Sequence, residues 1–421
     1  MKTRYTLIGA ALFSMVSCDK NASDDPAPVQ EDRYTIIRDI PATDAIELTA
    51  EEQSGLDGKI DFEFDFFNEA VKAGLQDSDN GNIIVSPLSA SLALTLMANS
   101  CSDNTTAEIV RMLGFENLDV LNTTANKVMR YLHCPSMIGG QLGIANSVWY
   151  SDRYSVSRDY ADRIASVLYS ECNKADFQDE ATLDLINEWC SEKTNGMIPD
   201  FLDGWDPTRI AILLNTIYFA GLWDGRFDED ATRDMDFFGR DGKATVSMMH
   251  SENLHGYMES DLADVLCIPF KGTSSFFALL PKEGHTATEL AETISYSDYH
   301  DFVTIYTPGN VNDFKLIVDF PKFKVSKALP LSPVFSKMGL STMSDFSKMG
   351  IKEDVDLATL QKSELEIDEE GVKFAVVTGS CGGHDRPKTV EKRLTFDRPF
   401  LFFIMNDDAR SVLLAGLVNN L

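Results

Sequence analysis

The chain has 421 residues, 44% apolar and 24% charged, which is ample material for a large core. Its formal net charge of −29 argues against nucleic acid as a partner, because phosphate binding needs a surplus of Lys and Arg. Seven Cys are scattered with no CxxC pair, a pattern that in a domain this large favours small apolar residues over a disulfide framework. Five of them, Cys101, Cys134, Cys172, Cys190 and Cys267, read as small apolar residues, and Cys381, exposed among glycines, reads as an incidental free thiol, with a reactive or intermolecular thiol as the alternative.

In chain order, Lys2 and Arg4 precede an apolar run from Leu7 to Val16 and the small Ser17. The run is too short to span a bilayer and predicts a secretory signal peptide over residues 1–17. A Cys directly after a small residue resembles the bacterial lipobox, in a degenerate form with Met15 at its usual Leu position. That resemblance implies lipidation at Cys18 and a cell-envelope protein, on the outer membrane and surface-exposed or periplasmic, with simple secretion as the alternative. Residues 18–49 are polar, acidic and Pro-bearing at first, and predict a flexible tether.

From residue 50 the elements become regular. Leu56, Ile60, Phe64, Phe67, Val71 and Leu75 recur at helical spacing. Ile83 to Val85 form a short buried strand stopped by Ser86-Pro87, and a helix follows from Leu88 to Met97. Helices are also expected at Glu108–Leu113 and Tyr160–Tyr169, with the strand GIANSVWYS before the second. The helix LDLINEWCSEKTNGMI ends at Asn195-Gly196, and RIAILLNTIYFAG is a buried strand. Beyond Trp223 strands predominate, closing on two apolar strands around a turn at Asn406 to Arg410. Helices early and strands late indicate an α+β fold.

The segment EIDEEGVKFAVVTGS, 366–380, is ambiguous. Leu365 and Ile367 share one face, and after Gly371 the alternation passes to Val372, Phe374, Val376 and Thr378. That pattern reads as a hairpin, yet its second arm runs into Gly379, Gly382, Gly383 and Pro387, which read as exposed loop. Catalytic signals are few. The six His form no HExxH pair, and there is neither a GxSxG elbow nor a phosphate-cradling glycine loop. Ser86 is a conceivable nucleophile, but a hydroxyl at a strand-to-helix junction more often satisfies the backbone. The sequence does not read as an enzyme, and no metal or cofactor is implied.

The stretches NIIVSPLSASLALTLMANS, INEWCSEKTNGMI, LLNTIYFAGLWDGRFDEDATRDMDFF, FPKFKV, EIDEEG and FDRPFLFFIMND resemble the serpin family in order and spacing, over residues 50–421. The resemblance implies one domain with three β-sheets, about nine helices and an exposed reactive-centre loop, here about 369–395. It implies a monomer that acts as a suicide inhibitor of serine, and in some members cysteine, proteases. The arm of Glu369, Glu370, Gly371, Val372, Lys373, Phe374, Ala375, Val376, Val377 and Thr378 then enters the main sheet after cleavage. Ser86, Pro87, Ser89 and Asn215 correspond to the shutter beneath that sheet, with Gln361 where the family usually has His. Trp223, Lys322 and Glu369 correspond to the breach at its top.

Counting seventeen positions with Glu369 as the first gives Asp385 as the bait residue, and counting back eight from Phe396 gives Lys388. Arg386 lies between them but precedes Pro387, so Asp385, Arg386 and the Lys388-Thr389 bond all stay open. Phe374 stands where inhibitory members usually carry Ala, and a slow insertion would leave the protein a mere substrate. A non-inhibitory binding or carrier module is therefore the alternative.

Overall fold

The computed structural model describes residues 40–75, 81–225, 227–252, 256–305, 314–341, 344–351, 358–372 and 390–421. All of them belong to one unit, Tyr34–Leu421. Helix α1 (Ala50–Gly74) starts at Thr49, whose side chain and that of Glu52 form a reciprocal capping box. Strand β1 (Ile83–Val85) leads to Ser86, which caps α2 (Pro87–Ser100) with Pro87 in the first turn. Helices α3 (Asp103–Met112), α4 (Leu118–Leu132) and α5 (Pro135–Ile138) follow. The next elements are β2 (Gly140–Ser151), α6 (Arg158–Leu168), β3 (Glu171–Ala175), α7 (Ala181–Lys193) and β4 (Ala211–Leu222).

The second half is mostly strand, from β5 (Asp228–Gly239), β6 (Gly242–Ser251) and β7 (Gly256–Glu259) to β8 (Ala263–Pro269) and β9 (Ser274–Pro281). Helices α8 (Ala287–Ala291) and α9 (Tyr296–Ile305) precede β10 (Phe314–Pro321) and β11 (Phe323–Pro330), and α10 (Leu331–Lys337) follows. The chain ends with β12 (Ala358–Ile367), β13 (Gly371–Val372), β14 (Val390–Thr395), β15 (Phe400–Asn406) and β16 (Ser411–Val418).

These strands form three sheets, of order β11-β12-β13-β4-β2-β3, β1-β16-β15-β9-β8-β7 and β14-β10-β6-β5. With ten α-helices among the described residues the fold is α+β, as expected. The rule of helices early and strands late holds only coarsely, because α8, α9 and α10 interrupt the second half. Residues 40–49, expected in the tether, lie against the domain. Ile40, Ile46 and Leu48 pack on the core, and Arg130 Nε donates to the Pro41 carbonyl at 3.0 Å.

Helix α2 is buried along its whole length between α1, α6 and the sheets. The core also holds an ion pair. Lys59 Nζ lies 2.6 Å from Glu63 Oε1 and donates to Ser411 Oγ at 2.9 Å, while the Val412 N–H donates to Glu63 Oε2 at 2.7 Å. Burial pushes the Glu63 carboxyl above its ordinary range, although Lys59 pulls it back down. The pair thus fastens α1 to the terminal hairpin. Lys59→Met should remove about 3 kcal/mol of stability in urea unfolding, because it strands a buried carboxylate and two hydrogen-bonding groups.

Candidate functional site

The ambiguous segment begins as the predicted hairpin. Strand β12 ends at Ile367, the chain turns through residues 368–370, and β13 returns antiparallel with Val372 opposite Ile367. Asp368 holds the turn, its carboxylate accepting from the Glu370 N–H at 3.0 Å and the Gly371 N–H at 3.2 Å. Gly371 has φ +154°, and a Cβ there would lie 2.0 Å from the Gly221 carbonyl oxygen. No other residue fits that close an approach.

Trp223, 1% exposed, forms the floor of this turn. Its indole N–H donates to the Asp368 carbonyl at 3.1 Å and its backbone N–H to the Glu370 carbonyl at 3.0 Å. The ring stacks on Phe270 with centroids 4.8 Å apart. Beside it, Glu369 accepts from Lys322 Nζ at 2.7 Å and from Thr232 Oγ1 at 2.7 Å. Burial raises the Glu369 carboxyl, but the bonds from Lys322 and Thr232 outweigh it and hold the group below its ordinary range. The structure therefore brings together Trp223, Lys322 and Glu369, and adds Thr232, which the sequence did not single out.

Below the turn the main sheet is half open. Strands β12 and β4 pair in parallel from Ala358 opposite Ile212 to Lys362 opposite Thr216. At the top β13 separates them, with Val372 between Ile367 and Gly221. Between these levels, residues 363–366 of β12 and 217–220 of β4 face each other across the seam with no ladder among the described residues. The hydroxyls of Thr216, Thr359 and Ser363, along this seam, are buried without a hydrogen-bond partner among the described residues.

The inner face of the seam rests on α2. Gln361 binds the backbone of Ser86 twice, accepting from its N–H at 2.9 Å and donating to its carbonyl at 2.8 Å. Ser86 Oγ donates to the Leu413 carbonyl at 2.7 Å and accepts from the Ser89 N–H, so the hydroxyl is fully committed. Ser89 donates to Asn215 Oδ1, and Asn215 donates to Asn146 Oδ1. Gln361 sits opposite Asn215, and Asn215 opposite Asn146. Asn146 was legible as an amide at the centre of an apolar strand, but its partner was not. Pro87 contributes through its fixed φ in the first turn of α2.

The outer face carries a strap. Trp149, Ile212 and Leu214 pack against Phe177, Ile186 and Trp189 of α7 and its approach. The following residues then fasten to both sides of the seam. Asn195 donates to the Tyr218 hydroxyl of β4 at 2.9 Å, and Lys362 of β12 donates to the Asp200 carbonyl.

Residues 373–389 lie outside the described residues. These include Lys373, Phe374, Ala375, Val376, Val377 and Thr378 of the arm, Cys381, and the bond candidates Asp385, Arg386, Lys388 and Thr389. Cys18, the signal peptide and residues 18–39 of the tether lie outside them too. Among the described residues, no cluster of three or more His, Cys, Asp or Glu could hold a metal ion, and no helix is long and apolar enough to cross a membrane.

The sequence pattern of the family described as serpin (serine protease inhibitor) matches residues 58–421. The chain belongs to the serpin family. An uncharacterized serpin-like protein of Thermococcus kodakarensis is 28% identical over 372 residues, covering 85% of this chain and 84% of its own length. The thermophilic serpin tengpin, solved in its native state, superposes with TM-score 0.79 at 27% identity, covering 92% of this chain and 100% of that one. Human thyroxine-binding globulin, solved with its hormone, shares the fold with TM-score 0.74 at 22% identity, over 87% of this chain and 99% of that one. This serpin thus has relatives in a family typified by protease inhibitors, and carriers share its fold.

The Lys322–Glu369 pair is partly exposed on the lysine side, so Lys322→Met should cost about 1 kcal/mol at pH 7. Because the folded Glu369 carboxyl lies below its ordinary 4.5, the contribution is complete above that pH and lost as the pH falls through the folded value. Urea titrations of variant and parent should therefore differ above pH 4.5 and converge once the pH has fallen through the folded Glu369 value.

Proposed function

We propose that this serpin is a suicide-type protease inhibitor whose arm, once the bait loop is cut, completes the main sheet between β12 and β4. The observation that supports this reading is the half-open seam, plugged at its mouth by Gly371 and Val372. Continuing that register, residues 373–376 fall opposite 366–363 of β12, in the stretch that lacks a ladder. Residues from 377 onward then displace the parallel pairing that begins at Lys362. The inward residues of β12 are odd-numbered, so Val372, Phe374, Val376 and Thr378 turn toward α2 and the alternation in the sequence acquires a purpose.

The chemistry is that of the protease. Its nucleophile attacks the scissile carbonyl, the downstream half leaves as a free amine, and an ester (or thioester) holds the upstream half to the enzyme. Insertion then drags the acylated protease away before water can release it. A new strand with ladders on both sides forms several hydrogen bonds worth about 1 kcal/mol each, and buries Phe374 and Val376 for about 2 kcal/mol apiece. Against this, the strap through Asn195 and Asp200 must lift.

The target is a protease of the serine class or, by the family's wider habit, the cysteine class. A Lys388-Thr389 cut suits trypsin-like enzymes, and one among Gly379–Gly383 suits elastase-like or cysteine enzymes. Lipidation at Cys18 would hold the inhibitor on the cell envelope. The second reading, a non-inhibitory carrier, draws on Phe374. In the extended register its ring enters between Leu365 and the fully buried Phe219, a crowded position that slows insertion.

Incubation with trypsin, elastase and papain followed by denaturing gels decides between the readings. Inhibition gives an SDS-stable complex with at least one serine protease, whereas clean cleavage by all three overturns it. Cutting the loop should raise Tm by about 10 °C or more. Phe374→Ala should lower the number of inhibitor molecules consumed per protease trapped, and an unchanged ratio would remove Phe374 as the brake.

A further inference from the structure

The helix-stop pair Asn195-Gly196 is the one Asn-Gly sequence that lies wholly among the described residues. Both residues are left-handed, with φ +51° and +78°, as a helix end of this kind requires. The Gly196 N–H donates to the Ser191 carbonyl at 2.8 Å and the Asn195 N–H to the Glu192 carbonyl at 3.4 Å, which closes a Schellman cap on α7. Asn195 is exposed, yet its side-chain amide is committed, because it donates to the Tyr218 hydroxyl of β4 at 2.9 Å. Here the strap leaves α7 and grips the sheet.

The pair also carries chemistry that the inhibitor reading does not use. Glycine offers a backbone nitrogen unhindered by a side chain, and a Cβ at 196 would meet nothing within 4 Å. Once deprotonated, the Gly196 nitrogen can attack the Asn195 side-chain carbonyl carbon. The new C–N bond closes a five-membered succinimide, and the old one breaks to release ammonia. Water then opens the ring at either carbonyl, which leaves aspartate or isoaspartate. The net reaction exchanges one water for one ammonia and turns an amide into a carboxylate.

We propose that Asn195 is a deamidation site gated by the strap. With the strap seated, the cap holds the attacking nitrogen and Tyr218 holds the amide, so ring closure waits for the last turn of α7 to open. The products do not restore the closed form. In isoaspartate the former side chain becomes main chain, so the backbone gains a carbon and no side-chain amide is left for Tyr218. In aspartate a carboxylate replaces the donor and puts a negative charge at the C-terminal end of α7, where the helix dipole opposes it. Deamidation therefore leaves the strap more weakly fastened to β4. That this eases the parting of the seam rests on the insertion reading above, but the modification itself does not.

The test follows intact, full-length protein at 37 °C in mildly alkaline buffer, by peptide mass spectrometry of the segment that holds Asn195. The same protein unfolded in urea is the ungated reference, and the folded parent should convert far more slowly. Tyr218→Phe keeps the ring but removes the acceptor, and should speed conversion about fivefold, the factor for losing one neutral hydrogen bond. Lys362→Met frees the strap from β12, should act in the same direction, and carries the test if Tyr218→Phe does not fold. The converted form, separated by its extra charge, should melt below fresh protein, and equal melting would overturn the loosening. Conversion of the parent at the unfolded rate, or no acceleration in either variant, overturns the gate and leaves the insertion reading standing. Failure to trap any protease removes the insertion reading and leaves the gated conversion intact.

Discussion

The rest of the structure depends on one constraint, that β12 and β4 are partners over only part of their length. Five residue pairs zip them at the bottom, two inserted residues wedge them at the top, and the stretch between is unladdered. A sheet normally satisfies every backbone group along its interior strands. Leaving such a stretch open has a free-energy cost, and the surrounding elements serve either to maintain the opening or to limit it. Trp223 and the Glu369 cluster fix the wedge at the mouth, while α2 supports the seam from within and the strap after α7 crosses it from without.

How the seam is lined decides how easily it parts. On its inner face β12 presents Thr359, Gln361 and Ser363 low down, then Leu365 and Ile367 near the mouth. Gln361 spends both ends of its amide on Ser86, and Asn215 binds Ser89 and Asn146. The two halves of the network therefore meet at the cap of α2, and neither Gln361 nor Asn215 bonds the other. Parting the strands leaves each amide with its partners. An imidazole at position 361 would bring a titratable group to this level, whereas Gln keeps it neutral at every pH in which the protein folds.

Much of this was legible in the sequence where the signal was local. The hairpin at 366–372 follows from alternation on both sides of Gly371, and the cap at Ser86 from a hydroxyl before Pro87. Leu56, Ile60, Phe64 and Phe67 mark α1 by spacing alone. Helix α4 carries a local signal of the same kind, an Asn117 cap before Leu121, Ala125, Val128 and Leu132. The site's electrostatics were a different matter. Lys59 meets Ser411, and Thr232 meets Glu369, across hundreds and more than a hundred residues of chain respectively. Nothing in the spacing of those residues marks them as neighbours, because a fold with three sheets assembles its polar contacts only after the strands are ordered. The serpin resemblance supplied the positions of Gln361 and Asn215, but not that Gln361 would turn away from Asn215 toward a backbone.

The strap and the wedge act in opposite senses. Lys362 and Tyr218 tie residues 195–200 to the two strands that the proposed insertion would part, so each bond opposes their separation. The Lys362 bond is exposed and the Asn195 bond half-buried, and both have neutral acceptors, so each costs about 1 kcal/mol to give up. On the proposed insertion the wedge would gain a ladder on both sides with every residue that enters, and the gain would recur down the whole seam. A fixed, small resistance set against a repeated gain gives a process that is slow to begin and then runs to completion. On the proposed insertion, the slow beginning falls where the ring of Phe374 would enter between Leu365 and Phe219, at the second residue beyond Val372. If the arm inserts as proposed, the speed of insertion is thus set by packing at one level of one seam, and its reach by the ladder below.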